Sequence, residues 1–248
     1  MTDPLQKIYR VVDELTESGS LKKYRVVSSP QGPWLSVEGK RVLNFCSNNY
    51  LGLANHPKVI NAAVAGINKF GVGTGAVRAL SGNHQLHEEL EASLASFKKT
   101  EAVMVVQSGF VANLVAVQTL IDKEDIVISD ELNHASIIDA VKLSQAQTKF
   151  IYPHNNLIGL REKLAEADQI RSSNKRSDGT EKLILIITDG VFSMDGDCAP
   201  LSTICQLASE YECMVMVDEA HATGVFGKGG RGVLEHVSRV AGVEGYRA

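Results

Sequence analysis

From His84 onward, short runs rich in Val and Ile alternate with segments of helical length, and no other feature limits the possible folds as much. The spacing predicts helices over 84–98, 110–121, 134–144, 156–167 and 201–211. Strands are predicted between or after them over 101–106, 125–129, 148–152, 182–188 and 213–217. Strands that read as near-continuous apolar stretches, such as Leu183 to Ile187, are buried on both faces. Strands of this kind between helices specify an α/β fold with a mostly parallel sheet. Such sheets bind ligands beyond the carboxyl ends of their strands.

Ahead of this region, Leu5, Ile8, Val11, Val12 and Leu15 recur at helical spacing, which predicts an amphipathic helix over 4–17. A hairpin is expected from strands 34–37 and 42–45, turning at Glu38-Gly39-Lys40. Pro57 opens a helix that runs to Phe70. Residues 71–82, with four glycines, read as a loop. The expected organisation is an N-terminal helix and hairpin segment over 1–55 and a large domain over 56–248. Residues 168–181 are expected to form a solvated loop, 233–239 a helix, and 242–248 a loop that closes nothing, as in an incomplete domain.

Composition removes several function classes. With 44% hydrophobic and 22% charged residues, disorder and coiled coil are excluded. The net charge of −4 gives no reason to expect nucleic acid or an anionic membrane as partner. No apolar run approaches the ~18 residues of a membrane span. Met1 to Arg10 holds a proline and charges where a signal peptide needs an apolar stretch. Cys46, Cys198, Cys205 and Cys213 form no C-x-x-C pair, so no zinc site is expected. They read as small buried thiols in a reducing, cytoplasmic setting.

Four strand ends carry polar strings. Gln107-Ser108-Gly109-Phe110-Val111-Ala112-Asn113 opens a helix whose free N–H groups favour an anion, although a plain strand-to-helix turn has the same form. Asp218-Glu219-Ala220-His221 follows strand 213–217. It also spells a helicase box, but the chain has no P-loop to accompany one. Asn133-His134 follows strand 125–129, where a structural histidine at a helix start is the simpler reading. Asp189 to Asp197 is acidic and holds glycines, yet lacks EF-hand spacing, and no metal is expected there. Gly227-Lys228-Gly229-Gly230-Arg231-Gly232 fits G-x-G-x-x-G, but it lies too far from the preceding strand for a dinucleotide turn and reads as a flexible loop.

Taken in order, Asn48 to Leu53, Ser108 to Phe110, Leu132 to Asp139, Asp189 to Gly196 and Val217 to His221 resemble motifs of the α-oxoamine synthases. The resemblance runs from about Leu5 to Gly232. It implies pyridoxal 5′-phosphate as cofactor, and transferase fold type I (aspartate aminotransferase-like), with a large mostly parallel sheet flanked by helices. The resemblance implies that Asp218 pairs with the pyridine nitrogen of the cofactor, favouring the protonated ring by about 1–3 pKa units. It also implies that His221 and Ser193 bond the phenolic oxygen, that His134 lies over the ring face, and that the amides of Gly109 and Phe110 hold the phosphate. Asn49 would help orient a substrate or product carboxylate. Family members are homodimers that condense a small amino acid with an acyl-CoA.

The family holds its cofactor through an imine to a lysine roughly thirty to thirty-five residues beyond the aspartate. Thirty residues follow Asp218, and Lys228 is the only lysine among them. The expectation is a chain that stops short of that lysine and lacks the C-terminal domain. Within the family, Asn44 to Tyr50 with Ala54 to Pro57 is most similar to the branch that acetylates glycine, the glycine C-acetyltransferases. The branch joining alanine to pimeloyl-CoA, the 8-amino-7-oxononanoate synthases, comes next. Gly196 to Leu201 leans toward it, and Lys22, where some members carry an arginine, leans away. A third expectation is a catalytically dead fragment that at most binds partner subunits.

Overall fold

The computed structural model describes residues 3–241, with side chains in the last helix described as far as Val237; the predicted closing loop, 242–248, lies outside the described residues. The chain divides into two compact units that part between Gly73 and Thr74.

The first unit contains α1 (Gln6–Glu17), strands β1 (Trp34–Val37) and β2 (Lys40–Leu43), and α2 (Pro57–Phe70). His56 caps α2 by accepting the Lys58 N–H on its Nδ1 at 3.2 Å, and Pro57 takes the first helical position. The hairpin is tighter than the sequence suggests. Glu38 and Gly39 both have positive φ, at 51° and 77°, which makes a two-residue turn of the primed type. Lys40 is therefore already paired with Val37, and the second strand begins two residues early. The apolar stripe of α1 forms as expected, but none of its residues is buried.

The second unit opens with a π-helical turn, Arg78–Gly82, inside the predicted loop. Then follow α3 (Gln85–Lys98), α4 (Gly109–Leu120), β3 (Ile126–Asp130), α5 (Ala135–Leu143), β4 (Thr148–Tyr152), α6 (Leu157–Ser173), β5 (Ile184–Asp189), α7 (Leu201–Glu210), β6 (Met214–Asp218) and α8 (Val233–Ala241). The predicted strand 101–106 is not a strand. Side chains satisfy its backbone in place of a neighbour: Val105 N–H donates to Glu91 at 2.8 Å, and Arg78 donates to the Val105 carbonyl at 3.3 Å. Helix α6 also outruns its predicted end, because Ala167 and Ile170 continue its apolar face and Arg171 pairs with Asp168.

The four strands run parallel in the order β4-β3-β5-β6. Every residue of β3 and β5 is buried. Alternate side chains face two cores. Ile126, Ile128, Ile184 and Ile186 pack with Leu160, Leu164, Phe192 and Leu201, while Val127, Leu185 and Ile187 pack with Val117, Ile137 and Ala140. Among the described residues β6 ends the sheet, and it is only half-buried along its length. Cys205 is buried as expected of a structural thiol, Cys198 and Cys213 are half-buried, and Cys46 is exposed against expectation because it lies in irregular chain after β2. Among the described residues no helix is long and apolar enough to cross a membrane.

Candidate functional site

Strands β3, β5 and β6 end on Asp130, Asp189 and Asp218, so three aspartates line the carboxyl edge of the sheet. Asp189 and Asp218 are register partners. The half-buried Asp218 accepts the Ala220 N–H on Oδ1 at 2.8 Å and the Asn113 side-chain amide on Oδ2 at 2.8 Å. Asn113 is buried one turn into α4, and its Nδ2 also donates to Ser136 Oγ at 2.8 Å. Ser136 Oγ lies 2.7 Å from His134 Nδ1, which in turn accepts the Ser136 N–H at 3.2 Å as the cap of α5. The His134 N–H donates to Asp189 Oδ2 at 2.7 Å. One continuous chain of hydrogen bonds therefore joins Asp218, Asn113, Ser136, His134 and Asp189.

Burial pushes the Asp189 carboxyl up to about 6; the His134 N–H opposes this shift, and the nearby Asp218 charge adds to it. Asn133 fixes the strand end by accepting the Asp189 N–H at 2.9 Å and donating to the Ile187 carbonyl at 2.9 Å. The sequence carried one signal for this inner layer: Asn113 is the lone polar side chain in the apolar run Phe110 to Val117.

Helix α4 begins at the same edge. Ser108 caps it, accepting the Val111 N–H on Oγ at 3.2 Å and the Ala112 N–H on its carbonyl at 2.9 Å. The amides of Gly109 and Phe110 precede any intrahelical acceptor and remain available to an anion. The space around Gly109 is open, since a Cβ there would meet nothing within 4 Å. Asn113 stands four residues further on, about 6 Å along the axis. The open amides and the acid Asp218 are thereby tied together through one helical turn.

The remaining predicted residues sit on the connecting loops. Ser193 is exposed on the loop after β5, which is joined to β6 by a 2.7 Å bond from Gly190 N–H to the Asp218 carbonyl. His221 is half-buried in the turn after β6. Asn49 belongs to the first unit, where its side chain accepts the Ala54 N–H at 3.0 Å and closes a turn. One histidine escaped the sequence reading. His154 places Nδ1 2.9 Å from Asp130 and Nε2 2.9 Å from Asp197, fastening the loop after β5 to the end of β3. Burial pulls the His154 imidazole down, but its bonds to Asp130 and Asp197 outweigh this and leave its pKa raised.

The glycine-rich string at 227–232 is a loop, though not a slack one. Glu235 accepts the N–H groups of Gly229 and Arg231 at 3.0 Å each and pairs with the Arg231 guanidinium. Glu219 caps α8 by accepting from Val233 and Leu234 at 3.1 and 3.2 Å. Lys228 is exposed on this loop.

This donor set fits pyridoxal phosphate. A carboxylate suits a cationic ring nitrogen, and two open amides at the start of α4 suit a phosphate. The family model for aminotransferase class I and II matches residues 40–247. The 8-amino-7-oxononanoate synthase of Thermosipho melanesiensis is 52% identical over 225 residues, covering 91% of this chain and 54% of that protein. The 8-amino-7-oxononanoate synthase 1 of Bacillus subtilis is 45% identical over 236 residues, covering 95% and 57%. Among solved structures, a variant serine palmitoyltransferase from S. paucimobilis with a bound pyridoxal phosphate–myriocin aldimine superposes with a TM-score of 0.83 at 33% identity, over 95% of this chain and 57% of that one. The chain thus spans little more than half the length of the curated relatives it matches. It belongs to the aminotransferase class I and II family and carries the parallel-sheet core of the fold-type-I pyridoxal-phosphate enzymes.

Proposed function

We propose that the chain is the cofactor-binding part of an 8-amino-7-oxononanoate synthase, acting on alanine and a pimeloyl thioester such as pimeloyl-CoA. The names of the relatives at 45–52% identity support this choice over glycine C-acetyltransferase, as does the string Gly196 to Leu201. The observation that carries the reading is the Asp218 carboxylate, held by Asn113 one turn from the open amides of α4.

Bound there, pyridoxal phosphate supplies an electron sink for negative charge at the α-carbon of the amino acid. Asp218 holds a proton at the ring nitrogen. Gly109 and Phe110 bind the phosphate through their N–H groups, aided by the helix dipole. His134, fixed at its N–H by Asp189 and at Nδ1 by Ser136, would hold the ring from one face. Ser193 and His221 would bond the phenolic oxygen, and Asn49 would orient a carboxylate. The whole enzyme acts as a homodimer in the cytoplasm.

Equilibrium dialysis of the purified chain against pyridoxal phosphate tests the site. Asp218→Ala is expected to weaken binding about 10-fold or more, the loss of a charge-assisted bond. Undiminished affinity would remove the central claim. Borohydride treatment is expected to leave Lys228 unmodified, and a pyridoxyl group mapped to Lys228 would overturn the account of the lysine. Lys228 lies exposed on the loop held by Glu235, and these 248 residues alone are expected to release little or no CoA. On a chain of the relatives' length, turnover of alanine with pimeloyl-CoA is expected to exceed that of glycine with acetyl-CoA. The reverse order would restore the glycine reading that Asn44 to Tyr50 suggests.

A further inference from the structure

We infer that Asn113 is a positioning residue that couples two contacts of the cofactor ring: the acid at its nitrogen and the histidine on its face. The inference rests on the cofactor site proposed above and assigns a task to a residue that does not titrate.

The chemistry of the partners dictates the arrangement. A carboxylate only accepts hydrogen bonds, so the Asn113 atom 2.8 Å from Asp218 Oδ2 must be the amide nitrogen. The second hydrogen of that nitrogen is then committed to Ser136 Oγ, also at 2.8 Å. Because Ser136 Oγ receives a hydrogen from Asn113, its own O–H is free to donate to His134 Nδ1 at 2.7 Å. The Ser136 N–H reaches the same Nδ1 at 3.2 Å. With two donors aimed at Nδ1, the imidazole proton sits on Nε2. Asn113 and Ser136 are 5% and 1% exposed, so water does not substitute for either. A single buried amide therefore selects the Asp218 rotamer with one hydrogen and the His134 tautomer with the other.

The sequence sets this residue apart by its surroundings. An amide inside the apolar run Phe110 to Val117 is costly unless both of its hydrogens are used. Here both are used, and their partners stand 105 and 23 positions away in the chain.

The test begins without cofactor. In the full chain labelled with 15N-histidine, long-range proton–nitrogen NMR is expected to show His134 as the Nε2–H tautomer. In Asn113→Ala the Nε2–H fraction is expected to fall. An unchanged His134 signal in a folded Asn113→Ala chain, judged by circular dichroism, overturns the inference. If that variant does not fold, Ser136→Ala decides instead, since it cuts the same path while leaving the Asn113–Asp218 bond intact. A shifted tautomer supports the coupling, and an unshifted one overturns it.

Dialysis against pyridoxal phosphate reads the other arm. Asn113→Ala is expected to lose about 10-fold in affinity, and Asn113→Asp, which sets a second carboxylate against Asp218, to lose more. Equal affinity in parent and variants overturns the coupling to Asp218. Failure of the parent itself to bind pyridoxal phosphate counts against the proposed function, and the His134 tautomer then decides on the relay by itself.

Discussion

Asp189 occupies an unfavourable place for a charge, 3% exposed and beside the register partner Asp218. Burial raises its carboxyl to about 6, against an ordinary 3.8. The native chain therefore holds a proton that the unfolded chain has already released. The contribution of this group to stability falls as pH climbs from about 4 to about 6 and stays at the lower level above that window. Asp189→Asn is expected to flatten this slope and to raise stability at pH 7.5 by about 1–3 kcal/mol. Urea melts at pH 4.5 and 7.5 check it, and an unaltered slope in the variant would refute it. The site was partly legible at this scale. Asp218, His134 and the amides of α4 stand out because each follows a buried strand or opens a helix. Asp189, Ser136 and Asn113 lie inside strings that the sequence flagged, yet their tasks depend on partners set by the tertiary fold.

The loop after β5 is held by Gly190 against β6 and, at Asp197, by His154 together with the side-chain amide of Asn155 at 2.7 Å. Both ring nitrogens of His154 face carboxylate oxygens, an arrangement that uses both donors of the charged ring. The imidazole pKa is raised, so its contribution is complete below the ordinary 6.5 and is lost as pH rises through the higher folded value. Cleavage of the loop around Met194 by a protease is expected to quicken as pH rises through that value. In His154→Ala it should be fast and independent of pH over the same range; equal rates in the two chains would exclude the clamp. Glycine placement adds a second expectation. Gly232 has φ +116°, and a Cβ there would collide with the Glu219 carboxylate that caps α8. Gly232→Ala is expected to cost roughly 2 kcal/mol or more in thermal or urea unfolding. Element positions were readable where apolar period and capping agreed, as in α2 and β4. They were misread where side chains replaced a strand neighbour, at 101–106, and where two positive φ values tightened the hairpin.

At the scale of the whole molecule, the order β4-β3-β5-β6 concentrates burial in the two central strands. Ile186→Ala in β5 is expected to cost about 2–5 kcal/mol, whereas Val215→Ala in the half-buried β6 should cost less than half of that. Paired urea melts test the ranking, and equal losses would contradict it. The fold class was legible because strands buried on both faces leave an apolar signature, while the edge status of β6 was not: its sequence is as apolar as that of β5. The Asp218 carbonyl accepts from Gly190, so residues 214, 216 and 218 turn their peptide groups toward β5. Val215 and Val217 turn theirs outward, where no described strand lies. Deuterium uptake along β6 should therefore alternate, slow at Met214, Met216 and Asp218 and fast at Val215 and Val217. Among the described residues, the acid at its tip thus rides on a ribbon stitched down along one margin only.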